Sequence, residues 1–114
     1  MAYKLIKPLY AGVNVPASTV TGDATDGWEF DGASVVAILA CTLKSGSGAL
    51  DVKFQTLVPG TSTWVDIGVA FTQKTGTGTE AKVVTLPGVC RVSATVASTA
   101  VYDINVWLSG RGGN

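Results

Sequence analysis

The sequence predicts an all-β protein, an antiparallel β-sandwich of jelly-roll-like type with about seven to eight strands. Segments of alternating apolar and polar residues recur along the chain, and Gly, Ser and Thr clusters separate them every ten or so residues. Signals for helices are nearly absent. The 114 residues suit one domain of this kind, with 46% hydrophobic residues to build its core.

The first thirty residues differ from the rest and are predicted to precede the sandwich domain, which we place at residues 31–110. They hold an apolar and aromatic stretch interrupted by Pro8, followed by a turn-rich link. We expect this segment to form either an edge strand of the same domain or an arm that reaches onto a neighbouring molecule. Residues 111–114 are predicted to be a flexible C-terminus.

The middle of the chain predicts strands that are joined by turns. Val35–Leu43 is mostly apolar, which predicts a central strand covered on both faces. Ala49–Leu57 alternates well, and a Pro-Gly turn follows it. Trp64–Gly68 and Val69–Gln73 are predicted as two short strand pieces, and Lys74–Glu80 as a polar, Gly-rich loop.

The last third of the chain predicts three more strands. Ala81–Leu86 and Val89–Val96 are expected to be separate strands, with a turn at Pro87 and Gly88 between them. Val101–Ser109 closes the domain. Because alternate residues of a strand point to opposite faces, one set on this strand faces the core and Trp107 lies on the other face. The predicted inward set is Tyr102, Ile104, Val106 and Leu108.

The charge content is low and balanced. Eight basic and eight acidic residues cancel, and only 14% of residues are charged, against about 25% in typical soluble domains. A nucleic-acid partner is not expected, because such proteins carry a basic face. Weak self-repulsion favours an oligomer, although a monomer rich in neutral Thr, Ser and Gly fits the composition equally well. No apolar run approaches the about 18 residues of a membrane helix, so no membrane partner is expected.

The two cysteines are predicted to be buried and reduced. Cys41 and Cys90 each share the parity of inward-facing apolar neighbours, so both resemble small buried hydrophobes. Nothing in the sequence indicates the oxidising compartment that a disulfide requires. Whether the two lie near each other is left open by the pattern.

The residue inventory argues against catalysis. The chain has no histidine, which removes the commonest general base and the commonest metal ligand. We therefore expect no enzyme activity, no cofactor and no metal site. The acidic residues of "GDATDGWEFDG" could offer oxygens to Ca²⁺, but their spacing does not match a calcium loop, and Asp and Gly also make turns. These residues are Asp23, Asp26, Glu29 and Asp31.

The exposed aromatic and apolar residues are the candidates for binding. An exposed Trp107 could anchor a protein interface or stack on a sugar, and Trp28 is a second candidate for sugar stacking. Asp51, Lys53 and Asp66 are predicted to face solvent without a further role. The predicted protein-interface residues are Tyr3, Leu5, Ile6, Leu9, Tyr10 and Trp107.

The segment "LDVKFQTLVPGTSTWVDIGVAFTQKTGTGT" resembles a pattern of small structural proteins of tailed phages. In that pattern a strand of the type L-D-V-K-x-Q precedes a turn, then W-x-D, then a phrase like A-F-T-Q-x-T, with an Arg in a closing strand pair. One departure is the turn, which here is "PGTST" in place of Asp-Gly. The matching residues are Leu50, Asp51, Val52, Lys53, Gln55, Trp64, Asp66, Ala70, Phe71, Thr72, Gln73, Thr75 and Arg91.

The resemblance covers about residues 34–109 and implies a function. It implies a virion structural protein of the head decoration, or capsid cement, type. Such a protein would be made in the host cytoplasm and would bind the outer surface of the capsid. Its implied partners are the major capsid protein and further copies of itself, often as a trimer. Tail or baseplate components look similar and remain an alternative, as does a carbohydrate-binding module.

Overall fold

The protein is all-β, with its strands in two antiparallel sheets, which confirms the predicted antiparallel β-sandwich. A computed structural model describes the backbone of residues 3–21 and 28–112 and the side chains of residues 10–21, 34–86 and 88–109. In this part of the chain no helix is long and apolar enough to cross a membrane. The strands are β1 (Tyr3–Val15), β2 (Ser18–Thr21), β3 (Trp28–Ser45), β4 (Leu50–Leu57), β5 (Trp64–Ala70), β6 (Gly78–Val96) and β7 (Val101–Gly112).

Two long strands link the two layers of the sandwich. The hydrogen-bonded order is β1-β7-β3-β6-β4-β5, and β2 pairs with β6 outside this path. In the first sheet, β1, β7, residues 34–45 of β3 and residues 78–86 of β6 lie side by side. In the second sheet, residues 90–96 of β6 pair with β4, which pairs with β5. On its other side, β6 pairs with the beginning of β3 at residues 87–90 and with β2 at residues 93–96.

The long strands change layers at identifiable irregularities. The β3–β6 register shifts between Asp31 and Ser34, and Gly88 has a φ of 59° in the left-handed region. The prediction of a turn at Pro87 and Gly88 is therefore wrong. Both residues remain paired with β3, so the chain bends there without reversing. Proline lacks an N–H donor, and an irregular point of the ladder accommodates it.

The N-terminal segment forms an edge strand, one of the two forms expected for it. β1 pairs with β7 from Tyr3 opposite Gly112 to Val15 opposite Tyr102, with irregularities after Pro8 and after Gly12. Proline and bulges are common devices on edge strands, because they discourage further strand pairing. β5 occupies the opposite end of the strand order.

The core lies between the two sheets and confirms the predicted alternation. The predicted inward set of β7 is completely buried, as are Leu39, Leu50, Phe54, Leu86 and Val92. Burying an aliphatic or aromatic side chain of this size stabilises the fold by about 1.5–3 kcal/mol. Cys41 and Cys90 are also buried, as predicted, and neither forms a disulfide. Burial raises the pKa of both thiols, so neither is a ready nucleophile.

Two turns meet at one end of the sandwich. The Ser47 amide donates to the Thr99 hydroxyl, and the Thr99 amide donates to the Ser47 carbonyl, each at 3.1 Å. The completely buried Tyr102 donates its hydroxyl hydrogen to the Gly48 carbonyl at 2.9 Å. Gly46 has a φ of 70°, and a Cβ there would collide with the Thr99 carbonyl. Glycine is therefore required where these turns touch.

Candidate interaction surface

The outer side of the first sheet exposes large apolar side chains. Along β3 the odd-numbered residues from Val35 to Cys41 are buried, but Val36 is 37% and Ile38 is 36% exposed. The prediction that Val35–Leu43 is covered on both faces is therefore wrong. The strand is central in its sheet, as predicted, yet only its inward face is packed.

The neighbouring strands continue this apolar surface. Val83 lies opposite Val36, while Ala81 and Trp107 lie opposite Ile38 on its two sides. Residues that are directly opposite in antiparallel strands have Cβ atoms about 4.5–5.5 Å apart, so these side chains form one patch. We call this patch the apolar face; its members are Val36, Ile38, Ala40, Ala81, Val83 and Trp107.

Uncharged polar residues border the apolar face along β3, β6 and β7. Ser34 and Thr85 share a hydrogen bond of 3.1 Å between their hydroxyl oxygens. Lys44 and Asp103, with a separation of 3.5 Å between Nζ and Oδ2, lie at one end of this side of the sheet. The described outward residues of β3, β6 and β7 that lie between this end of the sheet and Ser34 at the other end carry no charge. The polar members of this border are Ser34, Thr42, Thr79, Thr85, Asn105 and Ser109.

Trp107 is the largest side chain of the apolar face. It lies on the side of β7 away from the core, as predicted, and 39% of its surface is exposed. Its backbone partners are Pro8 on β1 and Ile38 on β3. Its neighbours on the same side of its own strand are Asn105 and Ser109. Its role in an interface stays a prediction.

The other predicted interface residues all belong to β1. Tyr10 lies opposite Val106, is half-buried and packs against the core. Burial also raises the pKa of its hydroxyl. The side chains of the remaining four lie outside the described part of the structure, so their place in an interface stays a prediction. These four are Tyr3, Leu5, Ile6 and Leu9.

The outer side of the second sheet has a different chemistry. Arg91 Nε donates to Gln55 Oε1 at 2.9 Å, and Gln55 Nε2 donates to Asp66 Oδ1 at 3.0 Å. Lys53 Nζ donates to Asp66 Oδ2 at 3.0 Å. The Arg91 guanidinium stacks 4.3 Å from the centre of the Trp64 ring. We call this chain of five side chains the polar face.

The side chains of the polar face hydrogen-bond to one another. The bonds from Gln55 and Lys53 hold the pKa of Asp66 below its usual value. Partial burial lowers the pKa of Arg91, but a guanidinium stays charged at neutral pH. Arg91 covers one side of the Trp64 ring, so that side is not free to stack on a sugar.

All five residues of the polar face belong to the motif that carries the phage resemblance. Asp51 and Gln73, two further motif residues, are also joined, with Gln73 Nε2 3.1 Å from both Asp51 carboxylate oxygens. Asp51, Lys53 and Asp66 do face outward, as predicted. Sequence reasoning missed their side-chain hydrogen bonds to other parts of the chain. The available signal was the shared outward parity of Lys53, Gln55 and Arg91 with an aromatic residue on a neighbouring strand.

The described residues contain no cluster of three or more cysteine or acidic side chains that could hold a metal ion. Asp23 and Asp26 lie outside the described residues, as do the side chains of Glu29 and Asp31. Glu80 forms an ion pair with Lys74 at 2.5 Å and accepts a hydrogen bond from the Thr72 amide at 2.9 Å. These contacts fasten the Gly-rich loop to the sandwich.

The apolar face suits a broad contact with another protein better than it suits a reaction on a small molecule. The apolar face is an outward sheet surface with a half-exposed tryptophan, and its described border offers hydroxyl and amide groups. Comparison of the chain with protein-family models, with curated proteins and with solved structures gives no match.

Proposed function

We propose that this chain is a virion structural protein of a tailed phage, of the head decoration type, which stabilises the capsid through protein–protein contacts. The observation that carries the proposal is the apolar face on the outside of the first sheet. Its composition matches the centre of a protein interface, where aromatic and aliphatic side chains are enriched and charged ones are depleted. Tryptophan is also among the residues that contribute most to such interfaces.

The phage resemblance supports the same class of protein from different residues. The motif residues with described side-chain contacts build the polar face and its surroundings, so they account for a stable second sheet. The apolar face lies on the other sheet and is available for binding. A protein of this kind stabilises the shell by mass action, because it binds the assembled state. Many copies on one shell add their effects through multivalency.

The test uses capsids of the phage that encodes the chain, prepared without the protein by deleting its gene. We expect the purified protein to bind these heads saturably, at a fixed number of copies per capsid, and to raise the temperature at which they release DNA. Copies bound are measured by co-sedimentation, and DNA release by dye fluorescence during heating. Binding to tails but not to heads would favour the tail or baseplate alternative. An absence of binding to either particle would contradict a virion role.

The carbohydrate-binding alternative uses Trp107 as well. Asn105 and Ser109 lie beside it on β7 and could donate hydrogen bonds to sugar hydroxyls. Titration with a panel of oligosaccharides would test this alternative by quenching of tryptophan fluorescence. Quenching that disappears in Trp107→Phe, but persists in Trp64→Phe, would support sugar binding at this face.

A further inference from the structure

We propose that the apolar face binds a second copy of this chain, face to face, so that the free protein is a symmetric dimer. This inference deepens the proposed function, because it names the molecule that the apolar face binds. It rests on the proposed function in one respect, which is that the apolar face is a protein interface. Two arguments select a second copy as the occupant: the charge of the face and its area.

The charge argument concerns what the face can recognise. Between Ser34 and the Lys44–Asp103 pair, the described side chains of the face are uncharged. A partner whose contact surface carries charges would lose their hydration here without gaining an opposite charge. An identical surface fits, because no like charges meet among these described side chains when the two copies come together. The eight basic and eight acidic residues of the chain also cancel, so net charge does not hold copies apart.

The area argument concerns what the face can bury. The three strands that carry the members of the face, β7, β3 and β6, have a spacing of about 4.8 Å and give a width of about 14 Å. The uncharged stretch of β3 from Ser34 to Thr42 is about 30 Å long at about 3.3 Å per residue. The resulting area of about 430 Å² per copy, or about 860 Å² in total, lies below the about 1,200 Å² of standard interfaces and in the range of weak, transient contacts. A second copy therefore covers enough surface for a weak, reversible dimer, which forms at high protein concentration.

The fold offers a simple geometry for this contact. Two sheets that pack face to face align their strands within about 30° and lie about 10 Å apart. When identical faces meet, the contact is isologous and closes at two copies. A trimer, which the phage resemblance implies, would need a different contact. In the dimer, Val83 would contribute strongly, because it is 68% exposed in the single chain.

The experiment compares the wild-type protein with two single-residue variants by sedimentation equilibrium and light scattering. Val83→Lys puts a charge into the proposed contact on strand β6, at a position exposed enough to leave the fold intact. Val65→Lys is the matched control, because Val65 is 42% exposed on β5 of the second sheet. Near-ultraviolet circular dichroism and thermal melting confirm that both variants are folded.

At millimolar concentration we expect the wild type to have about twice the 11.6 kDa mass of the chain. Val83→Lys is expected to raise the dimer Kd by about 30-fold or more, the effect of disrupting an interface hot spot. Val65→Lys should change it by less than about 3-fold, as is usual outside an interface. A wild-type protein that stays monomeric at millimolar concentration would overturn the inference. So would an oligomer whose mass Val83→Lys leaves unchanged.

Binding to heads separates this inference from the proposed function. A wild-type dimer that responds to Val83→Lys but does not bind heads would support the dimer contact and remove the decoration role. A wild-type monomer that binds heads through Val83 would remove the dimer and assign the apolar face to the capsid protein.

Discussion

The two outer faces of the sandwich share strand β6 but differ in what their side chains do. On the polar face, Lys53, Asp66, Gln55 and Arg91 bond to one another, and Arg91 lies against Trp64. On the apolar face, large side chains are 36–68% exposed. The comparison shows that one sandwich can divide its roles between its sheets. The side chains of the polar face contact one another, whereas those of the apolar face leave apolar surface exposed for a partner.

The first prediction tests whether both faces depend on one core. Leu39 lies beneath the apolar face and Phe54 beneath the polar face, and both are completely buried. Leu39→Ala is expected to lower the free energy of unfolding by about 2–5 kcal/mol and Phe54→Ala by about 3–5 kcal/mol, because each leaves a cavity. Urea denaturation followed by fluorescence measures both. A loss below about 1 kcal/mol in either variant would show that the layer above it is loosely packed.

The second prediction separates the faces by their effect on stability. Arg91→Ala removes the bond to Gln55 and the stacking on Trp64, and we expect a loss of about 2 kcal/mol in the free energy of unfolding. Arg91→Lys keeps the charge but not the planar group, so it should restore only part of this loss. Urea denaturation measures both variants. Self-association should be unchanged. A dimer Kd that rises with Arg91→Ala would contradict the separate roles of the polar face and the apolar face.

The third prediction, with the smallest effect, uses pH. The pKa of Asp66 is lowered by Gln55 and Lys53, so its contribution to stability is complete above its ordinary pKa of 3.8 and is lost as the pH falls through the lower value in the folded protein. The effect is small, because both side chains of the Lys53–Asp66 pair are about half exposed. The difference in unfolding free energy between wild type and Asp66→Asn should shrink toward zero in acid.

For the apolar face we expect that dimerisation does not depend on pH. Its described members include no titratable side chain, and the chain has no histidine. The dimer Kd should therefore stay constant between about pH 6 and 8, where only histidine ordinarily titrates among side chains. A Kd that changes tenfold across this range would indicate that charged groups take part in the contact.

Sequence alone predicted the fold class, the inward residues of β7 and the burial of Cys41 and Cys90, because alternation in these strands allows only one assignment of faces. The prediction was wrong for β6, because the two strands predicted there form one continuous strand. Pro87 and Gly88 have the composition of a turn, but their pairing with β3 keeps the chain running forward. A local pattern does not reveal such a distant partner.

The surfaces were predictable only in part. The outward parity of Trp107 identified it as a binding candidate, whereas the exposure of Val36 and Ile38 was missed. β-branched residues favour strands whether or not they are buried, so an apolar run does not reveal which face is covered. The polar face was missed because Gln55 and Arg91 lie 36 positions apart, and only the register between β4 and β6 brings them together.

The passage of β3 and β6 through both layers has a consequence for how the protein folds. Neither sheet can be completed before these two strands are placed, so neither is expected to exist as a stable intermediate. Unfolding should be a single cooperative event, and amide hydrogens in both layers should exchange with solvent at similar, slow rates. Because nearly all strand pairs join distant parts of the sequence, folding should be slow, on the millisecond-to-second scale of all-β proteins.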